Sequence, residues 1–183
     1  MMSHASVLYR FRIDLSDIDR GVYELLDVRV AMHASETSDY LLTRVIAYAL
    51  NIQDGLQFSP QGLGEPNDPA IQVRAADQSI NLWIEIGNPS ARRLHKASKG
   101  AKSVRVYTYK DPNALLRELA FEKMHRAEHI EIFALSPAFL AELGGQLVRD
   151  NKWVLVMNEG QILISIGDRS FDGVLTAHRL PAK

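Results

Sequence analysis

Cysteine is absent from all 183 residues, which removes disulfide bridges, thiolate nucleophiles and every zinc site that needs sulfur. Its absence fits a reducing cytosol, although a cysteine-free chain also works in a periplasm. No apolar run approaches the ~18 residues that a membrane-spanning helix needs. Met1-Met2-Ser3-His4-Ala5-Ser6 leads straight into an alternating segment, without the basic and then apolar stretches of a signal peptide. The expectation is a cytoplasmic protein with no membrane partner. Charge of one sign is also lacking: 21 Lys and Arg stand against 22 Asp and Glu, a formal net charge of −1. Affinity for nucleic acid would therefore need a local patch rather than a global field. There is no G-x-G-x-x-G or Walker sequence, so nucleotide cofactors have no support. What remains is an ordinary globular mixture, 46% hydrophobic and 23% charged. It can bury a core unaided, at a length that suits one domain over residues 1–183.

Val7, Tyr9, Phe11, Ile13 and Leu15 alternate with Arg10, Arg12, Asp14 and Ser16, the period of a half-buried strand. Residues 17–21 read as a turn, and Leu26, Val28, Val30 and Met32 repeat the alternation, so an antiparallel hairpin is expected. At Ser35 the period becomes helical. Ser35 is the expected N-cap, with Glu36 and Asp39 in the first turn where the helix dipole favours them. Leu42, Val45, Ile46, Ala49 and Ile52 form the apolar stripe, and Gly55 ends the helix. Three prolines and two glycines make 59–69 an irregular loop. Two short strands over 70–75 and 80–86 come next, then a helix from Ser90 to about Lys99 with Leu94, Ala97 and Ala101 inward. A strand over 104–109, a helix over 112–124, a strand over 130–133 and a helix over 137–149 follow. A hairpin over 153–165 turns at Asn158-Glu159-Gly160, and 174–177 forms a last short strand. The fold class is α/β, with a mixed sheet flanked by helices, an N-terminal β-hairpin and closing C-terminal strands. The element order in the middle of the chain is similar to the core of the PD-(D/E)XK nuclease superfamily.

Glu85 is the most informative residue. It stands inside Leu82-Trp83-Ile84-Glu85-Ile86-Gly87, a run apolar enough for a strand covered on both faces. A carboxylate there must meet a cation, accept hydrogen bonds, bind a metal or take up a proton. It either pairs structurally with an arginine at a wet rim, or projects into a cleft beyond the strand end, where open α/β sheets bind ligands. Leu94, Ala97 and Ala101 turned inward place Arg93 beside the buried face of its helix and Lys96 away from it. Arg93 is thus the better neighbour for Glu85, able to pair with a carboxylate or clamp a phosphate but unable to act as a base.

Ser35-Glu36-Thr37 ahead of a helix bearing Arg44, Leu82 to Gly87 with Pro89, Arg93 with Lys96-Ala97, and Tyr107-Thr108-Tyr109 together resemble the YaeQ family. These are small bacterial proteins, mostly of unassigned function, and the likeness runs over nearly the whole chain. The resemblance implies a compact variant of the PD-(D/E)XK nuclease core. In such nucleases two strand acids hold Mg²⁺, a lysine two residues after the second acid orients water, and a helix glutamate assists; oxygen-rich sites of this kind suit magnesium. Glu85 matches the second acid and Glu36 the helix glutamate. Gly87 stands at the lysine position and Ala70 at the first acid's position, with Asp68 nearby as a substitute metal ligand. The implied candidates are Glu36 and Glu85 as catalytic groups, Glu85 and Asp68 as ligands of Mg²⁺, and Arg44, Arg93 and Lys96 as binding groups. The expected ligand is nucleic acid or another phosphate-bearing molecule, with weak Mg-dependent phosphodiesterase activity. The alternative is a non-enzymatic protein-interaction module in which Glu36, Arg44, Glu85 and Arg93 form a structural polar cluster.

Two other features compete. His125-Arg126-Ala127-Glu128-His129 spells H-x-x-E-H, a metalloprotease signature that needs a continuous helix. A strand starting near Ile130 argues against it and leaves two histidines near a helix C-terminus, where the dipole favours them. Arg92, Arg93, His95, Lys96, Lys99, Lys102 and Arg105 are the one basic concentration, either a solvated face or a phosphate-tracking patch. Trp83 and Trp153 are expected in the core.

Overall fold

The computed structural model describes residues 6–59 and 67–180. Strands β1 (Val7–Asp17) and β2 (Val22–Met32) form the expected antiparallel hairpin, with Val7 opposite Met32 and Asp17 opposite Val22. Helix α1 (Ser38–Leu50) starts later than its sequence suggests. Thr37, not Ser35, is the N-cap, its Oγ1 accepting the Tyr40 N–H at 3.2 Å. Ser35 Oγ instead lies 2.7 Å from His33 Nδ1, so Glu36 precedes the helix rather than opening its first turn.

The rest of the chain supplies β3 (Leu56–Phe58), β4 (Ile71–Arg74), β5 (Ile80–Ile86), α2 (Ala91–Gly100), β6 (Ala101–Thr108) and α3 (Pro112–Ala120). Then come β7 (Ile130–Leu135), α4 (Pro137–Gly144), β8 (Asp150–Asn158), β9 (Gln161–Ile166) and β10 (Arg169–Arg179). Strand β3 carried too short an apolar pattern to be expected. Helices α3 and α4 stop several residues early, whereas β10 extends well beyond 174–177. That length has a use. Asp172 and Phe171 pair with β9, while Leu175 to Arg179 pair with β7. One strand thus joins the terminal hairpins to the middle of the chain in a single ten-stranded mixed sheet, nearly closed on itself, ordered β2-β1-β8-β9-β10-β7-β6-β5-β4-β3.

The curled sheet wraps α1. Leu41, Leu42, Val45, Ile46, Ala47 and Ala49 are all 0% exposed, and a helix apolar on every side needs such an enclosure. Its one charged interior residue is Arg44. Helix α4 packs beside α1 and against β10, where Gly173 makes room: a Cβ there would fall 2.7 Å from the Phe139 ring. A second core lies on the other face of β5, β6 and β7. There Trp83, Val104, Val106, Ile130 and Ile132 meet Leu94 of α2 with Leu115 and Leu119 of α3.

The two cores explain Glu85. Side chains of a strand alternate faces, so Leu82, Ile84 and Ile86 enter the core around α1 while Trp83 enters the one under α2. Glu85 shares Trp83's face and is delivered to α2, at the end of the strand.

Candidate functional site

Strands β5 and β6 run parallel, Glu85 beside Val106 and Ile86 beside Tyr107. Beyond their carboxyl ends the chain turns sharply. Gly87 takes φ +88, a left-handed conformation easy only without a side chain, and its N–H reaches the Tyr107 carbonyl at 2.8 Å. Asn88 then ties the loops together, its Oδ1 accepting from Thr108 Oγ1 at 2.6 Å and its Nδ2 donating to the Asp111 carbonyl at 3.0 Å. Ser90 caps α2 by accepting the Arg93 N–H at 3.2 Å. The result is a cleft of about 410 Å³ whose lining includes Glu36, Tyr40, Asp68, Glu85, Arg93 and Lys110. Ser35 to Thr37 bring the start of α1 to the same place, and Pro89 the start of α2.

Glu85, only 5% exposed, has Oε1 occupied twice: Trp83 Nε1 donates at 2.5 Å and Arg93 Nε at 2.8 Å. The tryptophan bond follows from the two-residue spacing on one strand face, and the arginine bond from the inward turn of α2. Arg93 Nη2 also donates to the Asp68 carbonyl at 2.7 Å. Asp68 is therefore held to the site through its backbone. Lys96 is not among the cleft residues; its Nζ donates to Asn67 Oδ1 at 2.6 Å on the exposed side of α2.

Glu36 and Arg44 make the second pair, at 3.0 Å and almost wholly buried. Arg44 also donates to the Ala31 carbonyl at 2.8 Å, and its guanidinium lies 5.5 Å from the Tyr40 ring centre and 5.9 Å from that of Phe58. Burial pushes the Glu36 carboxyl up from its ordinary value, against the opposing pull of Arg44. Burial likewise pushes the Tyr40 hydroxyl up to about 12, with Glu36 and Glu85 adding to the rise and Arg44 and Arg93 opposing it. Tyr40 thus feels both acid–arginine pairs. Tyr109 is raised as well, chiefly by burial, while its hydrogen bond with Thr37 works the other way.

Tyr40, Asn88, Tyr109 and Lys110 were not foreseen. Tyr109 and Lys110 left a signal, since they follow a parallel strand at the end where open sheets bind ligands. Tyr40 left none within its apolar run.

The competing features dissolve. Helix α3 ends at Ala120, and His125 to His129 lie on an irregular stretch and a short 3-10 turn over Ala127–His129. The two histidines therefore do not sit at an α-helix C-terminus, and the motif has no continuous helix. Among the described residues no group of three or more His, Asp or Glu side chains converges as a metal site. The basic run is divided between faces. Arg93 points to the cleft, whereas Arg105 lies beside α1's C-terminal end, bonded to Asn51 Oδ1 and to Glu131 at 3.1 Å. Both tryptophans are buried. No helix among the described residues is long and apolar enough to cross a membrane.

Comparison with known proteins places this arrangement. A family model described as "YaeQ protein" matches residues 2–174. The chain is 26% identical over 182 residues to a protein described as "Uncharacterized protein YaeQ" from Escherichia coli (strain K12), covering 99% of this chain and 100% of that one. A Salmonella typhi protein of the same description matches equally, at 26% over 182 residues. Among solved structures, the YaeQ protein from Pseudomonas syringae superposes with a TM-score of 0.85 at 26% identity, over 97% of each chain. The YaeQ protein from Xanthomonas axonopodis pv. citri shares the fold, with a TM-score of 0.82 at 24% identity over 97% of this chain and 100% of that one. The chain belongs to the YaeQ protein family.

Proposed function

We propose that the cleft at the carboxyl ends of β5 and β6 binds a phosphate-bearing ligand, on a scaffold akin to a PD-(D/E)XK nuclease core whose acidic site has degenerated. The observation that carries the reading is the convergence of two helix N-termini, Arg93 and Lys110 on one cleft. Helix N-termini favour anions. Glu36 and Glu85 already face arginines, so their charges are largely compensated before a ligand arrives.

A resident Mg²⁺ fits the donors poorly. Oε1 of Glu85 is committed to Trp83 and Arg93 and Oε2 of Glu36 to Arg44, and although Oε1 of Glu36 and the Asp68 carboxylate stay outside these bonds, no group of three or more His, Asp or Glu side chains converges among the described residues. Magnesium needs free oxygens at about 2.0–2.1 Å in octahedral array. A second reading, a non-enzymatic interaction module with a structural polar cluster, is favoured for half of the site by the burial of the Glu36–Arg44 pair.

The test is calorimetric titration of a short single-stranded oligonucleotide and of a nucleoside monophosphate, with and without Mg²⁺, into wild type, Lys110→Gln and Glu85→Gln. Binding independent of Mg²⁺ and weakened about tenfold by Lys110→Gln is expected, the loss of one charge-assisted contact. Cleavage of the oligonucleotide that requires Mg²⁺ and disappears in Glu85→Gln would restore the hydrolytic reading. No binding of either ligand would leave the interaction module.

A further inference from the structure

On the far side of the Glu36–Arg44 pair lies a second concavity of about 470 Å³, between the edge strands β2 and β3. Arg29, His33, Glu36, Arg44, Phe58 and Ser59 contribute to its lining. Arg44, Ser59 and Glu36 are 2%, 6% and 7% exposed, and each has a polar atom without a hydrogen-bond partner among the described residues: Nε of Arg44, Oγ of Ser59 and Oε1 of Glu36. Buried polar groups are nearly always satisfied. Two idle donors in one wall, one of them on a guanidinium beside two aromatic rings, are hard to explain as packing alone. The balance of charge points the same way. Glu36 is the one acid in the described lining, against Arg29 and Arg44 with His33 beside them. Burial raises the Glu36 carboxyl while Arg44 pulls it down.

We propose that this concavity is an oxyanion site, which receives a phosphate or carboxylate group on the guanidinium groups of Arg44 and Arg29, with the Ser59 hydroxyl donating a hydrogen bond. Arginine suits the role because its planar donors stay charged and match an oxyanion in pairs. Ser59 adds a buried neutral donor to the lining, and Arg29 an exposed guanidinium. The site is separate from the cleft at β5 and β6 and does not depend on what that cleft binds; Glu36 is the residue they share.

The test follows the arginine Nε–H resonances of ¹⁵N-labelled protein during titration with inorganic phosphate, against chloride at matched ionic strength. Wild type, Arg29→Gln, Ser59→Ala and Lys110→Gln are compared. Arg29 is exposed, so its substitution leaves the fold intact, whereas Arg44 is too deeply buried to be a useful variant. The Arg44 Nε–H signal is expected to shift saturably in wild type and in Lys110→Gln. Affinity should fall at least about tenfold in Arg29→Gln, as for the loss of one charged contact, and should also fall in Ser59→Ala. The proposal is overturned by an Arg44 signal that does not respond, by equal affinity in wild type and Arg29→Gln, or by a response lost in Lys110→Gln, which would assign the ion to the other cleft.

Discussion

Truncating Glu36 to alanine isolates a guanidinium that the fold has almost entirely removed from water. Arg44 is 2% exposed, and Glu36 is its one carboxylate partner among the described residues, at 3.0 Å. Removing one member of a buried ion pair costs about 3–5 kcal/mol, even where the pair itself adds little, because the other charge stays buried and uncompensated. For a chain of this size each kcal/mol moves the melting temperature by roughly 2–4 °C, so Glu36→Ala should melt about 6–20 °C lower. Asp150→Ala is the matched control. It breaks the Arg12–Asp150 pair at 2.9 Å, whose side chains are 39% and 48% exposed, and exposed pairs are worth about 0–1 kcal/mol. Circular dichroism melts at pH 7 and low ionic strength supply the comparison. Equal losses in the two variants would refute the reasoning, since burial would then have no energetic consequence. The pH dependence carries a further sign. The folded Glu36 carboxyl titrates above its ordinary value of 4.5, so between that value and the raised one the native state binds more protons than the unfolded chain. Its contribution is therefore greatest below 4.5 and falls as pH rises through that window. Glu36→Gln should lose this segment of the stability-versus-pH curve.

Other consequences are simpler to state. Gly173→Ala drives a methyl group into the Phe139 ring and should cost about 1–3 kcal/mol by chemical denaturation; an unchanged midpoint would mean that α4 shifts freely on β10. Arg20→Ala removes donors at 2.8 Å to the Leu50 and Ile52 carbonyls at the end of α1. It should lower stability by about 1–3 kcal/mol, with hydrogen exchange rising first in that last turn. Gly87→Ala forces a side chain onto φ +88, costing about 1–2 kcal/mol, and a stability equal to wild type would show that the loop relaxes. Arg93→Gln removes the guanidinium that shares Glu85 Oε1 with Trp83, so Trp83 emission should change while that of core Trp153 does not. Identical spectra would separate the tryptophan from the site.

Much of the fold was legible because strands and helices announce themselves by period. The hairpin of β1 and β2 and the helices from Ser38, Ala91 and Pro112 all carry clean patterns. Sequence misplaced what depends on tertiary context. Ser35 and Thr37 are both good caps, and the choice fell to Thr37 once Ser35 engaged His33. A one-sided stripe was expected for α1, yet Leu41 and Ala47 off that stripe are as buried as Leu42, because the sheet curls around the whole helix. Glu85 with Arg93 was foreseeable from parity along β5 and the inward face of α2. Glu36 and Arg44 were grouped in one polar cluster, but their direct pairing was not foreseeable, since it depends on where the segment before α1 lies. Neither were Tyr40 and Lys110, which reach the cleft only through the arrangement of distant elements.

The most direct measurement of an anion site beside Glu85 is the affinity of a nucleoside monophosphate for wild type and Lys110→Gln in magnesium-free buffer. Lys110 is exposed, and its Nζ lies 5.7 Å from the Tyr109 ring centre, so a loss of binding will not reflect unfolding. Saturable binding that weakens about tenfold in the variant is the predicted result. Binding that is absent, or indifferent to Lys110 and to added salt, would contradict it.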